Sequence, residues 1–405
     1  MPEAVIVATA RSPIGRAGRG SLVDLRPDDL TAQVVRAVLD KVPALDPHTI
    51  DDLLLGCGRP GGESGFNMAR VVTVLLGLDD VPGATLTRYC ASSTQTTRMA
   101  FHAIKAGEAD VIVSAGVETV SRYDRGTSEA GANRNDVFAE AIARSESASA
   151  GGAGTWHDPR EDGALPDVYI AMGQTAENVA TLRGLRREEL DEFGVRSQNL
   201  AEKAIADGFW TREITPVTLP DGTVVSTDDG PRAGVTYDAV SQLKPVFRPD
   251  GVVTAGNCCP LNDGAAAVVV MSDTKAAELG LTPLARIVAT GVSGLSPEIM
   301  GLGPVEASRR ALAHAGMTID DIDLVEINEA FAAQVVPSYQ DLGIDLDRLN
   351  VNGGAIAVGH PFGMTGARLQ ATMLNSLDWH DKSTGLITMC VGGGQGMALI
   401  LERLA

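Results

Sequence analysis

The chain has few aromatic residues, fewer basic than acidic residues, and only short hydrophobic runs. Its 405 residues include 33 Lys and Arg against 52 Asp and Glu, a formal net charge of −19. Nucleic-acid binding requires a basic face, so this balance argues against a nucleic-acid partner. A membrane-spanning helix needs about 18 consecutive apolar residues, and no run here approaches that length. The run Val5–Ala10, which Arg11 follows directly, is too short for the core of a signal peptide.

Cysteine is also scarce. The five cysteines are an odd number and include no Cys-x-x-Cys pair. This excludes a disulfide framework and favours separate thiols in a reducing cytoplasm. The adjacent residues Cys258 and Cys259 are more typical of buried packing than of a metal or redox pair. We therefore expect a cytoplasmic protein without a membrane partner.

Glycine is abundant instead, with 45 residues. Strand-like and helix-like segments alternate up to about residue 120 and again from Leu284, which predicts a mostly parallel sheet covered by helices. The two regions repeat one order of elements, which indicates a duplicated unit. Between them the periodicity disappears from about Ser121 to Pro166. We predict an N-terminal half over 1–121 that is completed by about 250–274, an inserted loop domain over 122–249, and a C-terminal half over 275–405.

Cys90 and His360 occupy matching places in this repeat, each just before a helix. A pseudo-twofold packing of the two halves would bring them together. The N-terminus of a helix carries partial positive charge and free N–H groups, which lower the pKa of a nearby thiol and bind an oxyanion. We therefore expect Cys90 to have a low pKa and to be alkylated first near neutral pH.

Four segments are difficult to explain by packing alone. Taken singly, each has an ordinary interpretation: a cysteine in an Ala/Ser run is usually a core residue, Gly-His-Pro is most often a turn, and a glycine run forms tight turns. Together, a cysteine, a histidine and a second cysteine at equivalent α/β junctions are what acyl transfer requires. The four segments are Cys90–Ser93, Asn328–Phe331, Asn352–Gly363 and Cys390–Gly396.

With these motifs in this order, the chain resembles the thiolase family of 3-ketoacyl-CoA thiolases and acetyl-CoA acetyltransferases. The resemblance covers nearly the whole chain. It implies an α/β protein of the thiolase-like fold, in which duplicated βαβαβαββ halves form a five-layered α/β/α/β/α core with an inserted loop domain. The other matching segments are Arg11–Gly15, Met172–Ala180, Thr254–Asn257 and Asn262–Ala266.

The resemblance also implies a role for each catalytic position. Cys90 is the expected nucleophile that takes the acyl group from acyl-CoA, and His360 is the base that removes its proton. Cys390 is implied as the second acid/base, which moves a proton on or off the α-carbon of the acetyl unit. Asn328 is implied to hold a water in one oxyanion hole together with His360. The backbone N–H groups of Cys90 and Gly392 are implied to form the other.

Coenzyme A and acyl-CoA are the implied substrates, and neither a metal nor a permanently bound cofactor is expected. An acidic protein needs local positive charge to bind CoA phosphates, and Arg232 matches a CoA-contacting arginine of the family. Four further arginines of the loop domain are, taken singly, more typical of solvated helices: Arg183, Arg186, Arg187 and Arg196. The other substrate or CoA contacts that the resemblance implies are Phe247, Ala255, Cys259, Met300 and Phe331.

The sequence departs from the family pattern at Ser93, where glycine is usual, and at Cys259 and Ala239, where serines are usual. The loop over 124–166 lacks the histidine/methionine pattern of short-chain biosynthetic thiolases. We therefore expect a degradative 3-ketoacyl-CoA thiolase that works in fatty-acid or related lipid breakdown. The alternatives are an acetoacetyl-CoA thiolase working in the condensing direction and a non-catalytic protein that binds CoA esters or acts as a scaffold. The Cys390 motif disfavours a ketosynthase.

The resemblance also implies an oligomeric state. Thiolases form dimers through the sheet of the first half, and these commonly pair into tetramers. We therefore expect a homodimer or homotetramer, with a β-oxidation enzyme as a further candidate partner.

Overall fold

The computed structural model describes residues 1–125 and 134–405. The strands are β1 (Ala4–Arg11), β2 (Gly15–Arg16), β3 (Asp52–Cys57), β4 (Gly83–Leu86), β5 (Val111–Thr119), β6 (Val217–Thr218), β7 (Val224–Val225), β8 (Asn262–Ser272), β9 (Ala285–Gly294), β10 (Leu324–Ile327), β11 (Thr384–Val391) and β12 (Gln395–Arg403). The helices are α1 (Pro27–Asp40), α2 (Met68–Leu75), α3 (Ser92–Ala106), α4 (Ala139–Ser149), α5 (Met172–Arg183), α6 (Arg187–Ala206), α7 (Tyr237–Ser241), α8 (Asp273–Glu278), α9 (Gly303–Ala315), α10 (Ala332–Leu342), α11 (Ala355–Val358) and α12 (Thr365–Trp379).

Ten of the strands make up two sheets of matching order that join at one edge, with β2 paired to β8, and β6 and β7 form a separate two-stranded sheet. The first runs β4-β3-β5-β8-β1 and the second β10-β11-β12-β9, and they meet through two residue pairs between β1 and β9. A parallel bridge from Val325 to Leu349 stands in the second sheet where β4 stands in the first. The duplication that the sequence predicts is therefore confirmed at the level of topology.

The prediction of a mostly parallel sheet is wrong. Among the strands of the described residues, the parallel pairs are β3–β4, β3–β5 and β10–β11, and the other parallel contacts are isolated bridges. In each half the last strand returns antiparallel to its neighbour, β8 along β5 and β12 along β11. A strand that is buried on both faces has a continuous apolar sequence whether it is parallel or antiparallel to its neighbours. The sequence therefore does not distinguish a parallel from an antiparallel sheet here.

Three hydrophobic cores separate five layers. Because strand side chains alternate between faces, β8 sends Val269 and Met271 to the core under α1 and α2, and Val268 and Val270 to the core between the two sheets. That central core also contains residues of α3 and α12. The third core packs the second sheet against α9 and α10. The layers are thus helices, sheet, the central pair α3 and α12, sheet, and helices.

The region between β5 and β8 has no counterpart in the second half. The sequence predicts no regular structure from Ser121 to Pro166, whereas the structure forms α4 there. Only Ala141 of α4 is buried, so this Ala- and Ser-rich helix lacks the apolar stripe from which helices are recognised. Residues 126–133 of the expected loop lie outside the described residues. In the described ranges, the structure contains no helix that is both long and apolar enough to cross a membrane.

Candidate active site

Cys90 lies in a tight turn at the start of α3, in the central layer. Its neighbour Tyr89 has φ 44°, in the left-handed region, and the Ser92 hydroxyl holds the turn by accepting from the Arg88 N–H at 2.9 Å and donating to the Tyr89 carbonyl at 2.7 Å. Strained backbone of this kind costs about 1–3 kcal/mol and is concentrated at functional sites. The turn places the Cys90 sulfur at the N-terminus of α3, where the sequence predicts it.

The prediction of a low pKa for Cys90 is wrong. Burial raises the pKa of the Cys90 thiol to about 12, although a hydrogen bond from the backbone N–H of Gly392 favours the thiolate. The negative charge of Glu118 adds to the upward shift. Desolvation therefore outweighs the helix N-terminus, and the resting residue is a thiol that needs a base.

His360 comes from the second half and is held by three contacts. Gly359 precedes it with φ 110°, and a Cβ there would lie 2.7 Å from Ile14 Cγ2, so only glycine fits this approach. The His360 backbone N–H donates to Asn262 Oδ1 at 3.0 Å. On the ring, Nδ1 lies 2.6 Å from the hydroxyl of Thr365, the first residue of α12.

These contacts define the tautomer of His360. The Thr365 hydroxyl donates its proton to the Pro361 carbonyl at 2.7 Å, so its oxygen accepts from Nδ1–H. We therefore assign the proton to Nδ1 and the acceptor lone pair to Nε2. Burial lowers the pKa of His360 to about 3, with a smaller contribution from the positive charge of Arg368. The imidazole is neutral at physiological pH and can accept a proton at Nε2.

Asn328 follows β10, and its side chain faces the same imidazole. Its Nδ2 lies 3.3 Å from His360 Nε2. Its Oδ1 is buried and has no hydrogen-bond partner among the described residues. A buried amide oxygen of this kind normally has a partner, and this one therefore fits the water that the sequence analysis expects Asn328 to hold.

Cys390 and Gly392 lie at the end of β11. Gly393 and Gly394 have φ of 79° and 80° and form the tight turn into β12, so the ordinary interpretation of this glycine run holds for these two residues. Burial raises the pKa of Cys390 well above its usual value, and Cys90 contributes to the shift. Burial, Cys258, Cys90 and Cys390 together raise the pKa of Cys259. Cys259 is therefore a third thiol beside the two predicted catalytic ones.

A cavity of about 340 Å³ opens beside Cys259. Two of the residues predicted to contact CoA, Arg232 and Ala255, line it, and so do Arg16 and Arg19. These two arginines were not predicted from the sequence, although Arg16 directly follows the Arg11–Gly15 segment and Arg19 comes three residues later. Cys258 and Cys259 are free thiols that are only partly buried, and Cys258 packs against the hydrophobic cluster that contains Phe331.

The remaining predicted contacts lie on a second side of the site. Phe247 and Phe331 pack edge to face with centroids 6.0 Å apart, and Met300 is buried in the same hydrophobic cluster. Three of the four further arginines named from the sequence are engaged elsewhere. Arg183 pairs with Asp341, Arg187 with Asp191 at 2.6 Å, and Arg196 donates to the Leu349 carbonyl at 2.7 Å.

Glu118 is a further residue that the sequence analysis did not identify. This buried carboxylate accepts hydrogen bonds from the N–H groups of Gly58 and Gly363 at 2.7 and 2.8 Å and from the Tyr123 hydroxyl at 2.7 Å. It thereby joins a loop of the first half to the loop that carries His360. Nothing in the local sequence around Glu118 marks it, because its partners are distant along the chain.

A cysteine thiol, a neutral imidazole, a second thiol and an amide, each at or next to the end of a strand or helix, are typical of enzymes that transfer acyl groups through a cysteine. Comparison with known proteins agrees with this class. The family models for the thiolase N-terminal domain and the thiolase C-terminal domain match residues 4–274 and 281–403. The chain belongs to the thiolase family, and it is a CoA-dependent acyltransferase without a permanently bound cofactor.

Individual relatives match over their full length. A 3-ketoacyl-CoA thiolase of Bacillus subtilis is 41% identical over 99% of this chain and 100% of that protein. A 3-oxoadipyl-CoA/3-oxo-5,6-dehydrosuberyl-CoA thiolase of Escherichia coli is 43% identical, with 100% of both chains covered. The crystal structure of the Bacillus anthracis acetyl-CoA acetyltransferase superposes with a TM-score of 0.86 at 38% identity, covering 100% of this chain and 99% of that one.

Proposed function

We propose that this thiolase cleaves 3-ketoacyl-CoA with CoA to give acyl-CoA and acetyl-CoA, in fatty-acid or related lipid degradation. The observation that supports this most directly is the neutral imidazole of His360, whose contact with Thr365 places the proton on Nδ1 and leaves Nε2 to accept a proton. Two of the relatives described carry names of thiolases that act on 3-ketoacyl or 3-oxoadipyl thioesters.

In the first half-reaction, the Cys90 sulfur attacks the C3 carbonyl of the substrate while His360 Nε2 takes the thiol proton. The N–H groups of Cys90 and Gly392 stabilise the resulting alkoxide. Collapse breaks the C2–C3 bond and leaves an acyl group on Cys90 and the enolate of acetyl-CoA. Cys390 then donates its proton to the enolate carbon, which releases acetyl-CoA.

In the second half-reaction, CoA replaces acetyl-CoA. The Cys390 thiolate takes the proton of the CoA thiol, and the CoA sulfur attacks the acyl carbon. The Cys90–acyl bond breaks, acyl-CoA leaves, and the protonated His360 returns its proton to Cys90. Both cysteines and the histidine end in their starting states. While the enolate of acetyl-CoA exists, the protonated Nε2 of His360 and a water bound to Asn328 donate hydrogen bonds to its oxygen.

CoA lies in this proposal in the cavity beside Cys259. Arg16, Arg19 and Arg232 supply positive charge there for the CoA phosphates, in a chain whose net charge is −19. We propose that residues 122–249 form a loop domain that covers CoA and the acyl group, between an N-terminal half over 1–121 and about 250–274 and a C-terminal half over 275–405.

An acetoacetyl-CoA thiolase that condenses two acetyl-CoA molecules is the second candidate. It is favoured by the 42% identity to an acetyl-CoA acetyltransferase of Cupriavidus necator over the full length of both chains. The assay that separates the two is kcat/KM for 3-ketoacyl-CoA substrates of increasing length. We expect substrates longer than acetoacetyl-CoA to be cleaved faster, since each buried methylene contributes about 0.8 kcal/mol. A maximum at acetoacetyl-CoA would favour the condensing enzyme.

Mass spectrometry after brief incubation with acyl-CoA tests the covalent step. The acyl group is expected on Cys90 in the wild type and on no residue in Cys90→Ala. An acyl group found on Cys259 instead would refute the assignment of the nucleophile. A protein with no covalent acyl group and no turnover would be the non-catalytic CoA-ester binder.

We further propose that the enzyme is a cytoplasmic homodimer or homotetramer. All five cysteines are free thiols, which suits a reducing compartment. The strand β4 lies at the edge of its sheet, and Phe66 nearby is 98% exposed; edge strands of this kind are common pairing surfaces. Light scattering at micromolar protein should give at least a dimer mass, and a monomer mass would contradict the proposal. Co-purification with other β-oxidation enzymes would test for a multi-enzyme partner.

A further inference from the structure

A second cavity, of about 360 Å³, lies between α4, the segment 153–164 and α5. We call it the α4 cavity. It shares no lining residue with the cavity proposed for CoA. Its floor consists of Ile170, Asn178, Arg248 and Glu298. The catalytic proposal above uses none of these four side chains.

Helix α5 connects the α4 cavity with the catalytic turn. Asn178, which lines the cavity, lies less than two turns along α5 from its first residue, Met172. A Cβ placed on Gly392 would lie 3.5 Å from the sulfur of Met172, and the N–H of Gly392 is hydrogen-bonded to Cys90. The cavity therefore lies near the catalytic turn.

Two predicted substrate contacts are next to cavity residues along the chain. Phe247 directly precedes Arg248, and Met300 follows Glu298 by two positions. Methionine side chains are unbranched and adapt to what packs against them. Met172 and Met300 are therefore the side chains that an acyl chain extending from Cys90 toward the cavity would displace.

Arg248 is the unusual residue of the cavity floor. It is only 5% exposed, and it donates from Nε to Gln174 Oε1 at 2.7 Å and from Nη2 to Asn178 Oδ1 at 2.6 Å. Both acceptors are neutral amides. No carboxylate of the described residues forms an ion pair with Arg248, whereas a buried guanidinium is normally paired with one.

The other charged groups of the α4 cavity are already satisfied. Glu298 accepts from Arg144 Nη2 at 2.9 Å and from the indole N–H of Trp156 at 2.8 Å. At the rim, His157 lies 3.2 Å from Asp162. The negative charges of Glu177 and Asp250 partly offset the lowering of the pKa of Arg248 by burial, but neither carboxylate forms an ion pair with the guanidinium, which therefore has no directly bonded carboxylate among the described residues. A carboxylate is the group that matches a guanidinium with two parallel hydrogen bonds.

We infer that the α4 cavity receives the far end of the acyl chain and that Arg248 binds a carboxylate there, so that the preferred substrates are 3-ketoacyl-CoA esters of dicarboxylic acids. This inference rests on the proposed thiolytic function. A neutral chain end would desolvate the guanidinium without replacing its interactions with water. Arg248 is thus a specificity-determining residue, while bond cleavage remains with Cys90, His360 and Cys390.

The test compares two substrate series with the purified full-length enzyme. One series ends in a carboxylate (3-oxoadipyl-, 3-oxosuberyl- and 3-oxosebacyl-CoA), and the other has the same carbon numbers and ends in a methyl group. For the chain length that reaches Arg248, we expect kcat/KM to be about 10- to 100-fold higher for the carboxylate member, as for other hydrogen bonds to charged groups.

Variants separate recognition from folding. Arg248→Met should remove the preference for carboxylate-ended substrates by lowering kcat/KM for that series only. Arg248→Lys should retain part of the preference, because the positive charge remains but the planar guanidinium is lost. Arg160→Met removes a neighbouring exposed arginine that does not line the cavity and should leave the ratio unchanged. The methyl-ended series is the internal control for correct folding.

Several results would overturn the inference. Equal kcat/KM for the two series at every chain length would refute it while leaving the thiolase function intact. A loss in Arg248→Met that is equal for both series would show a structural role only. An increase in the rate of the methyl-ended series on addition of free adipate would identify the cavity as a site for a separate anion. Failure to cleave any member of either series would refute the proposed function itself.

Discussion

The hydrogen bond between Thr365 and His360 provides a direct test of the tautomer assignment. In Thr365→Val the shape of the side chain is kept but the hydroxyl is lost. His360 Nδ1–H, now 2.6 Å from a partner, would be left as an unsatisfied buried donor, at a cost of about 1–3 kcal/mol. The ring avoids this cost by moving its proton to Nε2, which removes the base that Cys90 needs.

Both outcomes lower the fraction of His360 that can accept the Cys90 proton at Nε2. At about 1.4 kcal/mol per tenfold change, we expect the rate of Cys90 acylation to fall about 10- to 100-fold, with CoA affinity unchanged because Thr365 lies away from the CoA cavity. The measurement is single-turnover acylation from acetyl-CoA, followed by mass spectrometry, together with CoA binding by calorimetry.

Two variants serve as controls. Thr365→Ser keeps the hydroxyl and should restore the rate to near that of the wild type. Thr372→Val makes the same chemical change two turns further along α12, where the hydroxyl contacts Glu213, and should leave acylation unaffected. A wild-type acylation rate in Thr365→Val would refute the tautomer assignment and the positioning role of Thr365.

Three further predictions concern the site and its support. Cys390→Ala should accept an acetyl group from acetyl-CoA on Cys90 but lose at least about 100-fold in overall thiolysis; near wild-type turnover would disprove its acid/base role. Because the pKa of His360 is about 3, Cys90 acylation should stay constant from pH 8 to pH 5, whereas a histidine of ordinary pKa would lose about 30-fold at pH 5. Ser93→Ala should lower unfolding free energy by about 1–2 kcal/mol, since Ser93 Oγ accepts from the Ala367 N–H in the first turn of α12. Ser308→Ala, which removes a buried hydroxyl without a partner among the described residues, is its control and should not be destabilising.

The alternation of strands and helices was predictable from hydrophobic pattern, because packed elements must place apolar residues at their own period. The direction of the strands was not. All eleven residues of β8 are buried, so the strand shows no alternation from which a single exposed face could be recognised. The helix α4 was missed for the opposite reason, since almost none of its residues are buried.

The catalytic residues were predictable because three rare side chains recur at matching positions of a repeat. Their ionisation was not, since the pKa of Cys90 depends on how completely the folded chain removes water from it. The contact of His360 with Asn262 was not predictable for another reason. Asn262 lies 98 positions away along the chain, and proximity of that kind exists only once both halves have packed together.

The junction of the two sheets through β1 and β9 determines when, during synthesis of the chain, the active site becomes complete. The reactive groups come from opposite sides of that junction, Cys90 from one half and His360 and Cys390 from the other. Neither half alone contains both a nucleophile and its base. During synthesis Cys90 is made before His360 and Cys390, so it lacks its base until the second half has been added and packed. Reactivity therefore appears only when the whole chain is in place, and thiolase turnover reports complete folding rather than the presence of folded segments.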